Sequence, residues 1–228
     1  ILDEFQNVVV GTSTFSSDFP VTANAHKTSI GGLQDGVVFK LDESLSSMIW
    51  SSYFGGQKND AIYSLIKSNS NDFYVAGGTN SMDLNFPVES FQSNYQGGST
   101  DGYYAKFSSN GNSVIQGSYF GSNSYDQVYF IREDRQNQVY LFGQSAKYGD
   151  YWIKNAGFNT PNSGQFISKL SENQNELEWS TTFGSGNNRL NISPTAFMVD
   201  LCNKVYLSGW GDIEAGIFYG TRNMPLTN

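Results

Sequence analysis

Two residues could form a nucleophile–base couple of the imidazole or thiol kind, and each occurs once: His26 and Cys202. A structural zinc site takes about four Cys or His ligands, so these 228 residues cannot supply one. His26 lies in the polar run Ala23-Asn24-Ala25-His26-Lys27-Thr28 and reads as a surface histidine rather than a general base. Carboxylates are the remaining candidates. Asp35 and Asp101 lie 66 residues apart, and so do Asp60 and Asp126. Such acids could ligate a cation near an axis, or act as the acid and nucleophile of a glycosidase. Residues that recur with a fold more often maintain it, here by accepting hydrogen bonds from backbone amides at strand starts. The Asn-rich turns miss the D-x-[DN]-x-[DN]-G spacing of a calcium loop. The expectation is therefore no catalytic residue, no metal and no cofactor.

Binding chemistry is better represented. Phe15, Phe91, Tyr95, Tyr148, Tyr151 and Trp152 fall in three long segments, 12–34, 79–100 and 144–164. Loops beyond roughly 15 residues generally cover or bind something. Rings there could stack on a surface glycan or anchor a protein partner. Phe19 and Phe86 recur near the repeat period and read as pins that hold each loop to its own sheet. Tyr148, Tyr151 and Trp152 break the pattern, so they are the preferred binding candidates, expected to be exposed and dispensable for stability.

The elements that position these residues follow from a repeat. Tyr74, Tyr140 and Tyr206 stand 66 residues apart inside Phe73–Gly77, Val139–Gly143 and Val205–Gly209. Ser52–Gly56 returns as Ser118–Ser122 and more loosely as Thr181–Ser185, and Gly31–Gly36 as Gly97–Gly102. Phe19-Pro20 returns as Phe86-Pro87, with an echo in Met224-Pro225. Self-similarity in register at this period marks a repeat architecture. Each unit carries four strand-like segments, A to D, best seen at 60–67, 73–79, 102–107 and 113–120. Polar turns join them, one of them holding the hairpin-favouring Asn110-Gly111. With no helical periodicity, this predicts an all-β fold, a β-propeller segment of four-stranded antiparallel blades. The boundaries are 1–59 (strands B, C and D of a first blade), 60–125, 126–192 and 193–228 (strands A and B of a fourth). That is about three and a quarter blades, a partial ring.

Composition agrees. The chain has 24 Gly, 14 Tyr, 17 Phe and 4 Trp, as turns and half-buried pleated surfaces require. Thirteen basic against 21 acidic residues give a net charge of −8, the wrong sign for a nucleic-acid footprint. No apolar run reaches the roughly 18 residues of a membrane-spanning helix. Ile1-Leu2-Asp3-Glu4 shows no secretory leader pattern, and the chain reads as an excerpt of something longer.

These repeats resemble the β-propeller repeats of large exported proteins of the Bacteroidota associated with gliding motility. The resemblance is carried by Tyr74–Thr79, Ser17–Thr22, Gly97–Phe107 and Trp50–Gly56. It is closest at Val199–Gly211, where a Cys-bearing strand pair ends in Ser208-Gly209-Trp210-Gly211. It implies a secreted protein or one on the extracellular face of the outer membrane, exported by the type IX secretion system and engaging that system's outer-membrane components on the way. It implies neither an enzyme nor a cofactor. The C-terminal sorting domain of such proteins does not occur in these residues. Cys202, in an A–B turn, could pair with a cysteine of an unseen segment in an oxidising exterior, or could be a small buried residue. The functional expectation is a non-catalytic interaction, adhesion or scaffold module. A carbohydrate-binding module is the alternative, and a glycan-cleaving propeller a more distant one.

Overall fold

The computed structural model describes residues 1–86, 89–211, 213–214 and 217–218, the last four as backbone. Described strands are β1 (Val8–Thr14), β2 (Asp35–Leu41), β3 (Met48–Phe54), β4 (Asp60–Lys67), β5 (Phe73–Thr79), β6 (Asp101–Phe107) and β7 (Val114–Phe120). They continue as β8 (Asp126–Glu133), β9 (Val139–Ser145), β10 (Gln165–Leu170), β11 (Leu177–Phe183), β12 (Ile192–Val199) and β13 (Val205–Gly211). A small hairpin, β14 (Ile213–Glu214) with β15 (Ile217–Phe218), was not foreseen. No helix occurs among the described residues.

All named strand pairs are antiparallel. The sheets run β1-β2-β3, β4-β5-β6-β7, β8-β9-β10-β11 and β12-β13, each a meander in sequence order. The expected strands thus form with small boundary shifts, β6 opening at Asp101 and β7 at Val114. The turns between first and second strands place Asn71, Asn137 and Asn203 at φ of 64°, 61° and 60°. Asn tolerates this left-handed region better than most residues, so its return every 66 positions fixes the turn.

Three apolar clusters lie between successive sheets. Side chains alternate faces along a strand, and β5 uses both: Phe73 and Val75 join the first cluster, Tyr74 and Ala76 the second. Strand β9 does likewise, Val139 and Leu141 facing one way, Tyr140 and Phe142 the other. Both strands are buried along their whole length, which explains why they read as continuous apolar runs. Strands β4, β8 and β12, each first in its sheet, lie successively against one another.

Candidate functional site

The junctions between sheets are built by a recurring hydrogen bond. The Asp60 N–H donates to the Gln34 carbonyl and the Asp126 N–H to the Thr100 carbonyl, both at 2.8 Å. This ties the first residue of one sheet to the residue before the third strand of the preceding arc of chain. Asp35 therefore meets Asp60, and Asp101 meets Asp126, with all four at most 1% exposed. A Cβ on Gly55 would lie 2.6 Å from Asp60 Oδ2 and 2.7 Å from Asp35 Cγ, so the first pair converges on that glycine. At the second junction a Cβ on Gly121 would lie 2.5 Å from Asp101 Oδ1.

The two pairs are satisfied differently. Asp35 accepts from Lys27 Nζ (2.9 Å) and from the amides of Gly31 (2.9 Å) and Gly32 (3.2 Å). Lys27 Nζ also reaches the carbonyls of Gly55 (2.5 Å) and Gly56 (3.3 Å). Asp60 accepts from the Gly56 amide (2.8 Å), Ser81 Oγ (2.8 Å) and Thr79 Oγ1. Burial still pushes Asp60 up to about 6, those hydrogen bonds opposing the rise and the Asp35 charge adding to it.

At the second junction Asp101 accepts from the Gln96 amide on Oδ2, and Asp126 Oδ2 accepts from the Ser122 amide (2.7 Å) and hydroxyl (2.6 Å). Oδ1 of each acid is buried without a hydrogen-bond partner. Ser145 and the Trp152 indole lie close enough to Asp126 to oppose its upward shift, which burial dominates, but neither reaches hydrogen-bonding geometry on Oδ1. Burial pushes Asp101 up to about 7, the Gln96 amide opposing and the Asp126 charge reinforcing the rise. Gly97 and Gly98 have φ of 113° and 71°, so this loop takes a left-handed turn that side-chain-bearing residues resist. Its Gln96 amide, rather than two glycine amides, faces the carboxyl.

Gln92 stands where Lys27 does. The Lys27 amide donates to Ser52 Oγ and its carbonyl accepts from Tyr53 N–H; Gln92 makes the same bonds to Ser118 and Tyr119. Lys27 Nζ binds the Gly55 carbonyl; Gln92 Nε2 binds the Gly121 carbonyl at 3.0 Å. A neutral amide has replaced an ammonium. The Tyr151 hydroxyl donates to the same Gly121 carbonyl at 3.1 Å.

The aromatic candidates separate. Trp152 corrects the sequence expectation: it is 2% exposed, stacked between Phe120 (centroids 4.7 Å) and Phe166 (5.0 Å). Leu84 plugs the first inter-sheet cluster from the preceding long loop, and Trp152 plugs the second. The insertion before Trp152 disguised that equivalence. Tyr151 is 46% exposed and edge-on to Trp152, and Tyr148 is half-buried. Phe91 packs on Phe120 and Tyr95 on Tyr119, while Phe15 projects into solvent. Phe19 and Phe86 pack on Tyr53 and Tyr119 of their own sheets. Those tyrosines, members of the repeated Ser52–Gly56 and Ser118–Ser122 motif, also hold the loops through the Phe19 and Leu84 amides. Pro87 and Met224-Pro225 lie outside the described residues.

His26 is exposed, as its sequence setting led one to expect, with its ring against Phe54 and Phe107, and partial burial lowers its pKa. One alternative left open by the sequence closes. Cys202 is exposed, not a buried packing residue. Trp210 is exposed on β13.

An open cleft of about 510 Å³ lies among the long connections, bordered by Leu33, Gln57, Asn59, Asn80, Met82 and Tyr95. A smaller one shares Asn59 and Asn80 and continues past Tyr63 to Gln127. No group of three or more metal-ligating His, Cys, Asp or Glu side chains occurs among the described residues. Among the described residues no helix is long and apolar enough to cross a membrane. Comparison with protein-family models and with curated proteins finds no match.

Proposed function

We propose that these sheets are blades of a β-propeller, about three and a quarter of them, within a large exported cell-surface protein. In this reading the segment is a non-catalytic interaction or adhesion module, travelling as cargo of a type IX system in a gliding-motility-associated family. The observation that carries it is the arrangement of β4, β8 and β12. The first strand of each repeat lies against the first strand of the next, as inner strands do around a propeller axis. The resemblance at Val199–Gly211 supplies the exported, surface-borne context. A non-catalytic role is supported by the burial of both acid pairs.

The paired clefts favour carbohydrate as the ligand. Amide side chains at Gln57, Asn59 and Asn80 beside the Tyr95 ring offer hydrogen bonds and a stacking face, the combination that recognises sugars. The test is calorimetric titration with a panel of defined polysaccharides. Binding should weaken by about 1–2 kcal/mol in Tyr95→Ala and in Asn80→Ala, with polysaccharide chain length unchanged. Cleavage of any glycan, abolished by Asp60→Asn in a folded protein, would overturn the reading.

A further inference from the structure

We propose that the open cleft of about 510 Å³ selects an acidic sugar, the Lys58 ammonium holding the carboxylate of a uronic acid residue. This rests on the carbohydrate reading above and names the class of sugar. Among the described residues that line the cleft, Lys58 carries the only charge. On a chain of net charge −8, a cleft whose one charge is positive runs against its surroundings. Asp83, which accepts from the Gln57 amide at 3.0 Å, borders a neighbouring cleft instead. The fold itself does not ask for the lysine. Sixty-six residues on, Gln57-Lys58-Asn59 becomes Asn123-Ser124-Tyr125, while the carbonyls of Lys58 and Ser124 lie alike against Gly32 and Gly98. The backbone is kept and the ammonium is not, so the charge answers to something outside the repeat.

The groups needed are also unspent. Gln57, Lys58 and Asn59 are consecutive exposed residues in the connection from β3 to β4. Their hydrogen bonds within the protein run through the backbone: the Gln57 N–H to Asp83, the Lys58 N–H to Ser81 Oγ at 2.9 Å, and the Asn59 carbonyl from the Asn80 N–H at 2.9 Å. Among the described residues no carboxylate pairs with the Lys58 ammonium. Asn80 Nδ2 donates to the Ser99 carbonyl and to Thr100 Oγ1, which leaves its Oδ1 to accept from a sugar hydroxyl. The Tyr95 ring, braced edge-on by Tyr119 at 5.9 Å, supplies a stacking face. An ammonium flanked by amide N–H donors suits a carboxylate: Lys58 takes one oxygen through a charge-assisted hydrogen bond, and Gln57 or Asn59 the other.

The test titrates the full chain calorimetrically, at about pH 7, where uronate and ammonium are both ionised. The probes are hexasaccharides containing glucuronate, galacturonate or mannuronate, each beside its methyl ester, which keeps the rings and loses the charge. The expected result is at least one acid that binds about tenfold more tightly than its ester. Lys58→Gln, at an exposed side chain, should fold normally and remove that preference. Lys58→Arg should keep most of it, and Tyr95→Ala should weaken acid and ester alike. Esters or neutral polysaccharides that bind as well as the acids overturn the inference and leave the carbohydrate reading in place. So does an acid preference that survives Lys58→Gln. Binding of neither acids, esters nor neutral polysaccharides overturns both.

Discussion

The first and second junctions share a backbone scaffold and differ in how they treat charge. Both bring an acid that opens the third strand of one repeat against an acid that opens the next sheet, through the same 2.8 Å amide–carbonyl bond. The first surrounds its pair with serine, threonine and glycine donors and a lysine. The second has a glutamine, a tyrosine hydroxyl and two carboxylate oxygens left over. The third abandons acids altogether. Gly164 aligns with Asp101 and Ile192 with Asp126, and the amides of Gln144 and Gln165 both reach the Ile192 carbonyl. Both acids disappear together where one would be stranded. The lesson is that the pair, rather than either aspartate, is the unit the repeat preserves or discards.

The largest expected effect concerns the plugs above these pairs. Trp152→Ala empties a stacked site between two sheets and should cost about 3–5 kcal/mol, measured by denaturant unfolding. Tyr151→Ala, losing a half-exposed ring, should cost well under half of that. Equal losses would mean that Trp152 does not hold the second junction as Leu84 holds the first.

Next comes the lysine. Lys27→Met strands Asp35 beside Asp60 and should destabilise by about 2–4 kcal/mol at neutral pH. That lies below the cost of breaking a fully buried pair, because the Lys27 side chain is 24% exposed. The loss should shrink in mild acid, as Asp60 takes up its proton. Gln92→Met at the second junction should cost less, having no charge to strand.

The smallest effect is a slope. Asp60 and Asp101 have folded pKa values above the ordinary carboxylate value of 3.8. Between about 4 and 7 these two groups therefore bind more protons in the folded chain than in the unfolded one, and their contribution to stability falls as pH rises through that window. Asp101→Asn should flatten the upper part of the fall. An unchanged slope would show that Asp101 ionises normally in the fold.

The strands and their order were legible because alternation, turn residues and the period all act locally: Asn71, Asn137 and Asn203 mark the same left-handed turn in sequence and in structure. The acids were legible as recurring residues but not as pairs, since Asp35 and Asp60 meet through contacts between sheets that periodicity within one strand does not encode. Trp152 was misread for a related reason. An insertion moved it off the repeat register, and departure from register looked like exposure, whereas the same space between sheets was simply filled by a larger side chain placed further along its loop. The exchange of Lys27 for Gln92 was hidden by a similar one-residue offset.

The central claim, that a protein ammonium governs the first junction and none governs the second, is tested most directly by following the aspartate carboxyl carbons by NMR through a pH titration. The account predicts that Asp60 titrates near 6 and Asp101 near 7, and that Gln92→Lys brings Asp101 down while leaving Asp60 where it was. An Asp101 that titrates in the ordinary carboxylate range in the unaltered chain, or that ignores Gln92→Lys, would contradict it.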